Sequence, residues 1–173
     1  MSHAIRAAGP ADIQVITQIY DHAVRHGTAS FEIEPPDEAE MKRRFESLTH
    51  GGFPYLAAEV DGVVAGYAYA GAYRARPAYR WTVEDSVYVA PAAYRRGIGR
   101  ALLDRLIADS TSRGFHQMIA VIGDSAQTAS IELHRAAGFR LVGTIENVGF
   151  KFGRWHDSVI MQRPLGPGAA TSP

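Results

Sequence analysis

The sequence contains no cysteine, no excess of charge and no long apolar run, and each absence removes a class of function. Without cysteine, its 173 residues hold no disulfide framework, no thiolate metal site and no cysteine nucleophile. Basic and acidic residues number 18 each, so the formal net charge is zero. That balance argues against nucleic acid or an anionic membrane as the main partner. No stretch reaches the roughly 18 apolar residues of a membrane span. The first residues, "MSHAIRAAGP", lack the apolar core of a secretory signal. The expectation is a cytoplasmic enzyme or binding protein with neither a membrane nor a nucleic-acid partner. Length and a hydrophobic content of 46% suit one domain with one sizeable core.

The apolar periodicity changes along the chain. "AIRAA" reads as a strand. Pro10 and Asp12 then open a helix with Ile13, Ile16, Tyr20 and Val24 on one face. "PDEAEMKRRFESL" reads as a second helix, and "YLAAEVDGVVAGYAYAGAY" as two strands turning at Asp61-Gly62. "TVEDSVYV" is a strand, and a helix runs from about Gly99 to Arg113. "QMIAVI" is a strand apolar enough to be covered on both faces. "TASIELHRAAG" is a helix ended by Gly138, and "FRLVGTIENV" and "WHDSVIMQ" are the last strands, joined by a loop around "FKFGRW". The order β-α-α-β-β-β-α-β-α-β-β predicts one α/β domain over residues 1–165. Its centre is a twisted, mixed, mostly antiparallel sheet flanked by about four helices. The small, Pro/Gly-rich residues 166–173 are expected to form a disordered tail.

The stretch "YRRGIGRALLDRL" stands out, because Gly97 and Gly99 sit at the head of a strongly apolar helix. A helix N-terminus carries about four unpaired N–H groups and a partial positive charge, so it suits an anion. Glycines would let a pyrophosphate approach the backbone, and Arg95, Arg96 and Arg100 would add charge. An ordinary glycine-containing loop with solvated arginines fits the spacing equally well. "GIGRAL" lacks the third glycine of the dinucleotide fingerprint, and the G-K-[ST] of a P-loop is absent.

"VYVAPAAYRRGIGRALLDRLI" resembles the acyl-CoA-binding segment of the GNAT superfamily of N-acetyltransferases. "GTASFEIEPP", "WTVEDSVYV", "AVIGDSAQTASIELHRAAGF" and "VGFKFGRWHD" resemble its phosphinothricin and methionine sulfoximine acetyltransferase branch. The similarity spans residues 4–163. It implies acetyl-CoA as co-substrate, with the pyrophosphate on the loop amides of Arg95, Arg96, Gly97, Ile98, Gly99 and Arg100. It further implies that the backbone of Val87, Tyr88 and Val89 pairs with the pantetheine arm, and that Ser130 and residue 127 contact coenzyme A. Gln127 stands where the family has asparagine. The family also implies a homodimer, with the C-terminal strands and the "FKFGRW" loop near the second subunit.

Acetyl transfer to an amine needs a neutral nucleophile, an oriented thioester and stabilisation of a developing oxyanion. Glu84 is the first candidate base: it lies mid-strand, where burial raises a carboxyl pKa. The glutamate of "TVE" is the proposed base in the branch it resembles. Asp85 alternates to the other face of the strand and ranks lower. His134, where many relatives have tyrosine, is a candidate general acid, second base or substrate contact, or a core histidine bound to a carbonyl. His22 and His26 have ligand-like spacing, but they lie away from the apolar face, so no metal is expected. A small amino acid with a second polar or anionic head would need cations. Arg74 and Arg80 with Tyr73, and Lys151 with Arg154, are the candidates, with Phe31 lining the pocket. Two alternatives stay open. One is a GNAT enzyme for another amine, such as a protein N-terminus or a polyamine. The other is a non-catalytic acyl-CoA-binding module.

Overall fold

The computed structural model describes residues 3–173. Seven strands form one sheet: β1 (His3–Ala7), β2 (Tyr55–Val60), β3 (Val63–Ala72), β4 (Thr82–Val89), β5 (Gln117–Gly123), β6 (Arg140–Lys151) and β7 (Arg154–Pro164). Four α-helices accompany them: α1 (Ile13–His26), α2 (Glu38–His50), α3 (Ile98–Ser112) and α4 (Thr128–Ala136). The strand order is β1-β2-β3-β4-β5-β7-β6, and only β4 and β5 run parallel.

Period-2 alternation assigns each side chain to a face. Leu56, Ala58, Ala68 and Val83 pack with Leu102, Leu103 and Leu106 of α3. Tyr55, Ala57, Val64 and Tyr67 pack with Ile16, Tyr20 and Val24 of α1 and Met41 and Phe45 of α2. Each fully buried leucine is worth about 1.5–3 kcal/mol, so the α3 stripe alone anchors that helix. Asp37 caps α2, its carboxylate accepting from the Glu40 amide at 2.8 Å. The Asp61-Gly62 turn forms as expected, with φ of 51° and 79°, the left-handed pair a two-residue hairpin needs.

Two expectations are corrected. The "FKFGRW" segment is no loop: β6 runs to Lys151, β7 starts at Arg154, and Phe152-Gly153 alone make the turn, with φ of 52° and 73°. The aromatic and charged residues there are strand residues of a long hairpin, which composition does not separate from a loop. The C-terminal residues are also better anchored than their composition suggests. Leu165 is 1% exposed, its amide donates to the His116 carbonyl at 2.9 Å, and a 3-10 turn follows at Gly168–Ala170. His116 Nδ1 meets the Gly168 carbonyl at 2.6 Å. One buried leucine and three hydrogen-bonding groups offset the entropy that small residues otherwise keep.

Leu165→Ala is therefore expected to cost about 2–5 kcal/mol in urea denaturation, the range for a buried leucine. A loss below about 0.5 kcal/mol would show that this segment is not docked.

Candidate active site

β4 and β5 pair only through Thr82–Glu84 and Gln117–Ile119, and then part. β5 continues along β7 and β4 along β3. The β5-facing edge of Asp85–Val89 is thus left without a strand partner among the described residues, and a cleft of about 300 Å³ opens there. An extended ligand can occupy this edge as a strand would. Past β4, the chain passes a 3-10 turn at Pro91–Ala93 and reaches Arg95 with φ 62° and Gly97 with φ 78°. α3 begins at Ile98, one residue before Gly99, and its first internal bond runs from the Ala101 amide to the Gly97 carbonyl at 3.0 Å. The amides of Ile98, Gly99 and Arg100 have no acceptor in the helix, so an anion can take them. The two glycines do different work. Gly97 supplies the left-handed turn, while a Cβ on Gly99 would meet Leu133 and Val89 only in ordinary contact, at 3.5 and 3.7 Å.

Glu84 sits at the fork, half-buried, opposite Ile119 in the last β4–β5 pair. Burial pushes its carboxyl above the ordinary range, the Asp85 charge adds to this, and Arg74 opposes it. Its parity on β4 is that of Ser86 and Tyr88, and Tyr88 meets Tyr20 of α1 edge-on at 5.1 Å. Glu84 therefore faces the α1/α2 side. Asp85 faces the other way, as the alternation requires, and its Oδ2 lies 2.9 Å from His134 Nε2. His134 is 4% exposed, and its Nδ1 lies 2.7 Å from the Ser130 carbonyl. Both ring nitrogens thus face oxygen acceptors, which suits an imidazolium. Burial opposes that charge, but Asp85 and the Ser130 carbonyl outweigh it and raise the His134 pKa.

A cleft through a parted sheet, with a raised carboxyl on one face and a free strand edge leading to an anion site, suits transfer of a group from an extended, anion-headed donor. The sequence profile described as an acetyltransferase (GNAT) domain matches residues 5–160. The chain belongs to the GNAT acetyltransferase family. It is 53% identical to the phosphinothricin N-acetyltransferase of Alcaligenes faecalis over 98% of this chain and 86% of that one. It is 43% identical to the L-methionine sulfoximine/L-methionine sulfone acetyltransferase of Salmonella typhimurium, over 96% of each chain. Among solved structures, a phosphinothricin acetyltransferase from Sinorhizobium meliloti in complex with AcCoA superposes with TM-score 0.97 at 52% identity, covering 100% of this chain and 94% of that one.

Of the residues that the GNAT motifs single out, Phe31, Glu84, Val87, Tyr88, Gln127, Ser130 and His134 line the one cleft. Arg95 and Arg96 are exposed beside the α3 N-terminus, whereas the Arg100 side chain turns along the helix to Asp104 at 2.7 Å. Gln127 Nε2 donates to Thr28 Oγ1 at 3.0 Å. Its extra methylene reaches across to the α1–α2 loop. Tyr73, Arg74 and Arg80 lie in the exposed β3–β4 connection, Arg74 over the Tyr73 ring at 5.2 Å and Arg80 over Trp81 at 5.1 Å. The rings of His22 and His26 lie 4.7 Å apart on α1, and no metal-holding cluster of three ligands occurs among the described residues.

Lys151 and Arg154, the other two candidate substrate cations, meet protein oxygens. Lys151 is 3% exposed, and its Nζ donates to the Gly27 and Ser30 carbonyls at 2.9 and 2.8 Å. Burial lowers its pKa, partly offset by Glu32. Arg154 Nη2 pairs with Asp124 at 3.2 Å. Asp124, at φ 72°, also accepts from Thr28 Oγ1 and the Ala126 amide, and His156 Nδ1 lies 3.2 Å from it. Burial opposes its charge, but the Ala126 amide, Thr28, His156 and Arg154 hold the carboxyl below the usual range. This clasp draws the α1–α2 loop against β5 and β6. A Cβ on Gly149 would collide with the Phe31 ring, and one on Gly123 would collide with the Thr28 carbonyl and crowd that ring. Sequence reading missed Thr28, Asp124 and His156. Thr28 lies 96 residues from Asp124 in sequence, and no spacing rule reports such a pairing.

Lys151→Met is expected to cost about 1–3 kcal/mol in urea denaturation, since two buried carbonyls lose a charged donor. No change would mean that the loop is held without it. The His134 pKa is raised in the folded state, so its contribution is complete below the unfolded value of about 6.5 and is lost as pH rises through the folded value. The stability excess of the wild type over an Asp85→Asn/His134→Gln double variant should thus be greatest near pH 6 and shrink toward pH 9, measured by urea midpoints. An excess that grows with pH would exclude a charged pair.

Proposed function

We propose that this chain moves the acetyl group of acetyl-CoA to the α-amine of a small polar amino acid of the phosphinothricin, methionine sulfoximine or methionine sulfone type, with Glu84 as base. The observation that carries this reading is Glu84 itself: a half-buried carboxylate of raised pKa at the parting of β4 and β5. The names of the relatives supply the acceptor class.

Acetyl-CoA supplies the activated acyl group as a thioester. The residues present fit it: the free edge of Val87, Tyr88 and Val89 for the extended arm, and the Ile98, Gly99 and Arg100 amides with Arg95 and Arg96 for the pyrophosphate. A backbone N–H near Tyr88 would hold the thioester oxygen. Glu84 takes the ammonium proton, leaving a neutral amine on the α1/α2 side of the fork. Charged His134, hydrogen-bonded to Asp85, lies on the opposite side, where it can steady or protonate a departing thiolate. Tyr73, Arg74 and Arg80 are proposed receptors for the acceptor carboxylate, and Arg74 is close enough to act on the Glu84 pKa. Phe31 covers the acceptor.

The reading includes a cytoplasmic location and a homodimer. Among the described residues no helix is long and apolar enough to cross a membrane. β6 is an edge strand that exposes Ile145, Val148, Phe150 and, across the turn, Trp155. An unpaired apolar edge is a hazard unless something covers it, and a second copy would do so.

Glu84→Gln is expected to lower turnover about a hundredfold near neutral pH, with acetyl-CoA affinity unchanged. Because its pKa is raised, the acid limb of kcat/KM in the wild type should sit above the ordinary carboxylate range and vanish in the variant. The deficit should shrink above about pH 8, where the amine is already neutral. Free-thiol release with a panel of amino acids, polyamines and peptides checks this. A normal Glu84→Gln rate would remove the base, and acceptance of polyamines or peptides alone would remove the substrate class.

A further inference from the structure

The α1–α2 loop is part of the cleft wall through Ala29, Ser30 and Phe31, and α4 is part of it through Ser130 and His134. Gln127 lines the same cleft at the N-cap of α4. It joins the two walls: its Nε2 donates to Thr28 Oγ1, 99 residues away in the sequence, at 3.0 Å. The Thr28 hydroxyl is committed in both directions. Its proton goes to Asp124 Oδ2 at 3.1 Å, since a carboxylate only accepts. The oxygen then has lone pairs alone to offer, so the group facing it must be an N–H donor. That requirement fixes which way the Gln127 amide points.

The bond serves the loop and not the helix. Gln127 makes no side-chain capping bond to α4. Asp124 also keeps its place without it, accepting from the Ala126 amide at 3.0 Å and from Arg154 at 3.2 Å. What would come loose is Thr28, and with it the segment that leads to Phe31. Lys151 holds this loop by its backbone, at the Gly27 and Ser30 carbonyls, whereas Gln127 and Asp124 hold the Thr28 side chain. Side-chain length decides the contact. Asparagine at position 127 would draw the amide back by one C–C bond, about 1.5 Å, which takes it out of hydrogen-bond reach of Thr28. Asparagine is itself a favoured N-cap residue, so the exchange would not weaken α4.

We propose that Gln127 is a positioning residue for the acceptor. Through Thr28 it fixes the loop that carries Phe31, and it thereby sets affinity for the acceptor and not for acetyl-CoA. This rests on the acetyl transfer proposed above, in which Phe31 covers the acceptor.

The test measures acceptor KM for L-methionine sulfoximine by free-thiol release at saturating acetyl-CoA, and acetyl-CoA Kd by titration calorimetry. Gln127→Asn should raise acceptor KM about three- to tenfold, the size of one hydrogen bond, with kcat and acetyl-CoA Kd within about twofold of wild type. Thr28→Val should raise acceptor KM at least as much, and Thr28→Ser, which keeps the hydroxyl, should restore it. The double variant Thr28→Val/Gln127→Asn should be no worse than Thr28→Val alone, because both changes remove the same bond. In the protein without substrates, the amides of residues 29–31 should exchange with solvent about threefold faster or more in Gln127→Asn. An unchanged acceptor KM in Gln127→Asn, a raised acetyl-CoA Kd, or additive losses in the double variant overturns the positioning role and leaves acetyl transfer standing. Failure of wild type to acetylate methionine sulfoximine or phosphinothricin overturns the functional reading and the acceptor role with it. Unaltered exchange in Gln127→Asn, which needs no substrate, overturns the tie between α4 and the loop by itself.

Discussion

The structure depends on the parting of two parallel strands. β4 and β5 share hydrogen bonds over three residues each and then diverge, because each has a stronger antiparallel neighbour to follow. Parallel pairing is slightly weaker per residue, and the twist of the sheet carries the two ends away from each other. The result is an unpaired strand edge in the middle of a sheet, where backbone groups would normally be satisfied. Everything chemical is arranged around that edge: Glu84 on one face, Asp85 with His134 on the other, and the free amides of α3 at its end.

One residue of offset on β4 separates two kinds of electrostatics. Glu84 has burial and a like charge against its ionised form and Arg74 in its favour, and its pKa is raised. Asp85 has an imidazole at hydrogen-bond distance, and the pair is buried together. A buried ion pair contributes little net stability, since desolvation offsets most of the attraction. Its consequence here is positional. It fixes α4 to β4 across the mouth of the cleft, on the face opposite Glu84.

The acceptor side is held by a second buried polar set. Lys151, Asp124 and His156 come from β6, the β5–α4 connection and β7, and they meet the α1–α2 loop through Gly27, Thr28 and Ser30. Loops with few apolar contacts are ordinarily the mobile parts of a fold. Here directional bonds to a charged lysine do the work that apolar burial does elsewhere, and the loop's Phe31 is pressed onto two glycines that leave it room. The wall of the site is thus set by residues that need not touch an acceptor.

Much of this was legible in the chain. The 3.6- and 2-residue periods located α1–α4 and most of β1–β7. The parity of "TVEDSVYV" put Glu84 and Asp85 on opposite faces, and the glycines at the head of α3 marked where that helix begins. These features are local, set by side-chain spacing and backbone sterics, so sequence alone determined them. Tertiary structure decided which groups meet. Lys151 and Arg154 read as candidate substrate cations; in the fold Lys151 bonds two carbonyls, Arg154 pairs with Asp124, and Gln127 donates to Thr28. The tail, residues 166–173, reads as loose from its composition; buried Leu165 precedes it, and His116 meets its Gly168 carbonyl. The Tyr67 hydroxyl is fully buried and without a hydrogen-bond partner among the described residues. The physical reason is the same throughout. A side chain's spacing is written along the chain, but its burial and its hydrogen-bond partners come from residues tens to a hundred positions away, brought beside it only when the sheet closes around its core.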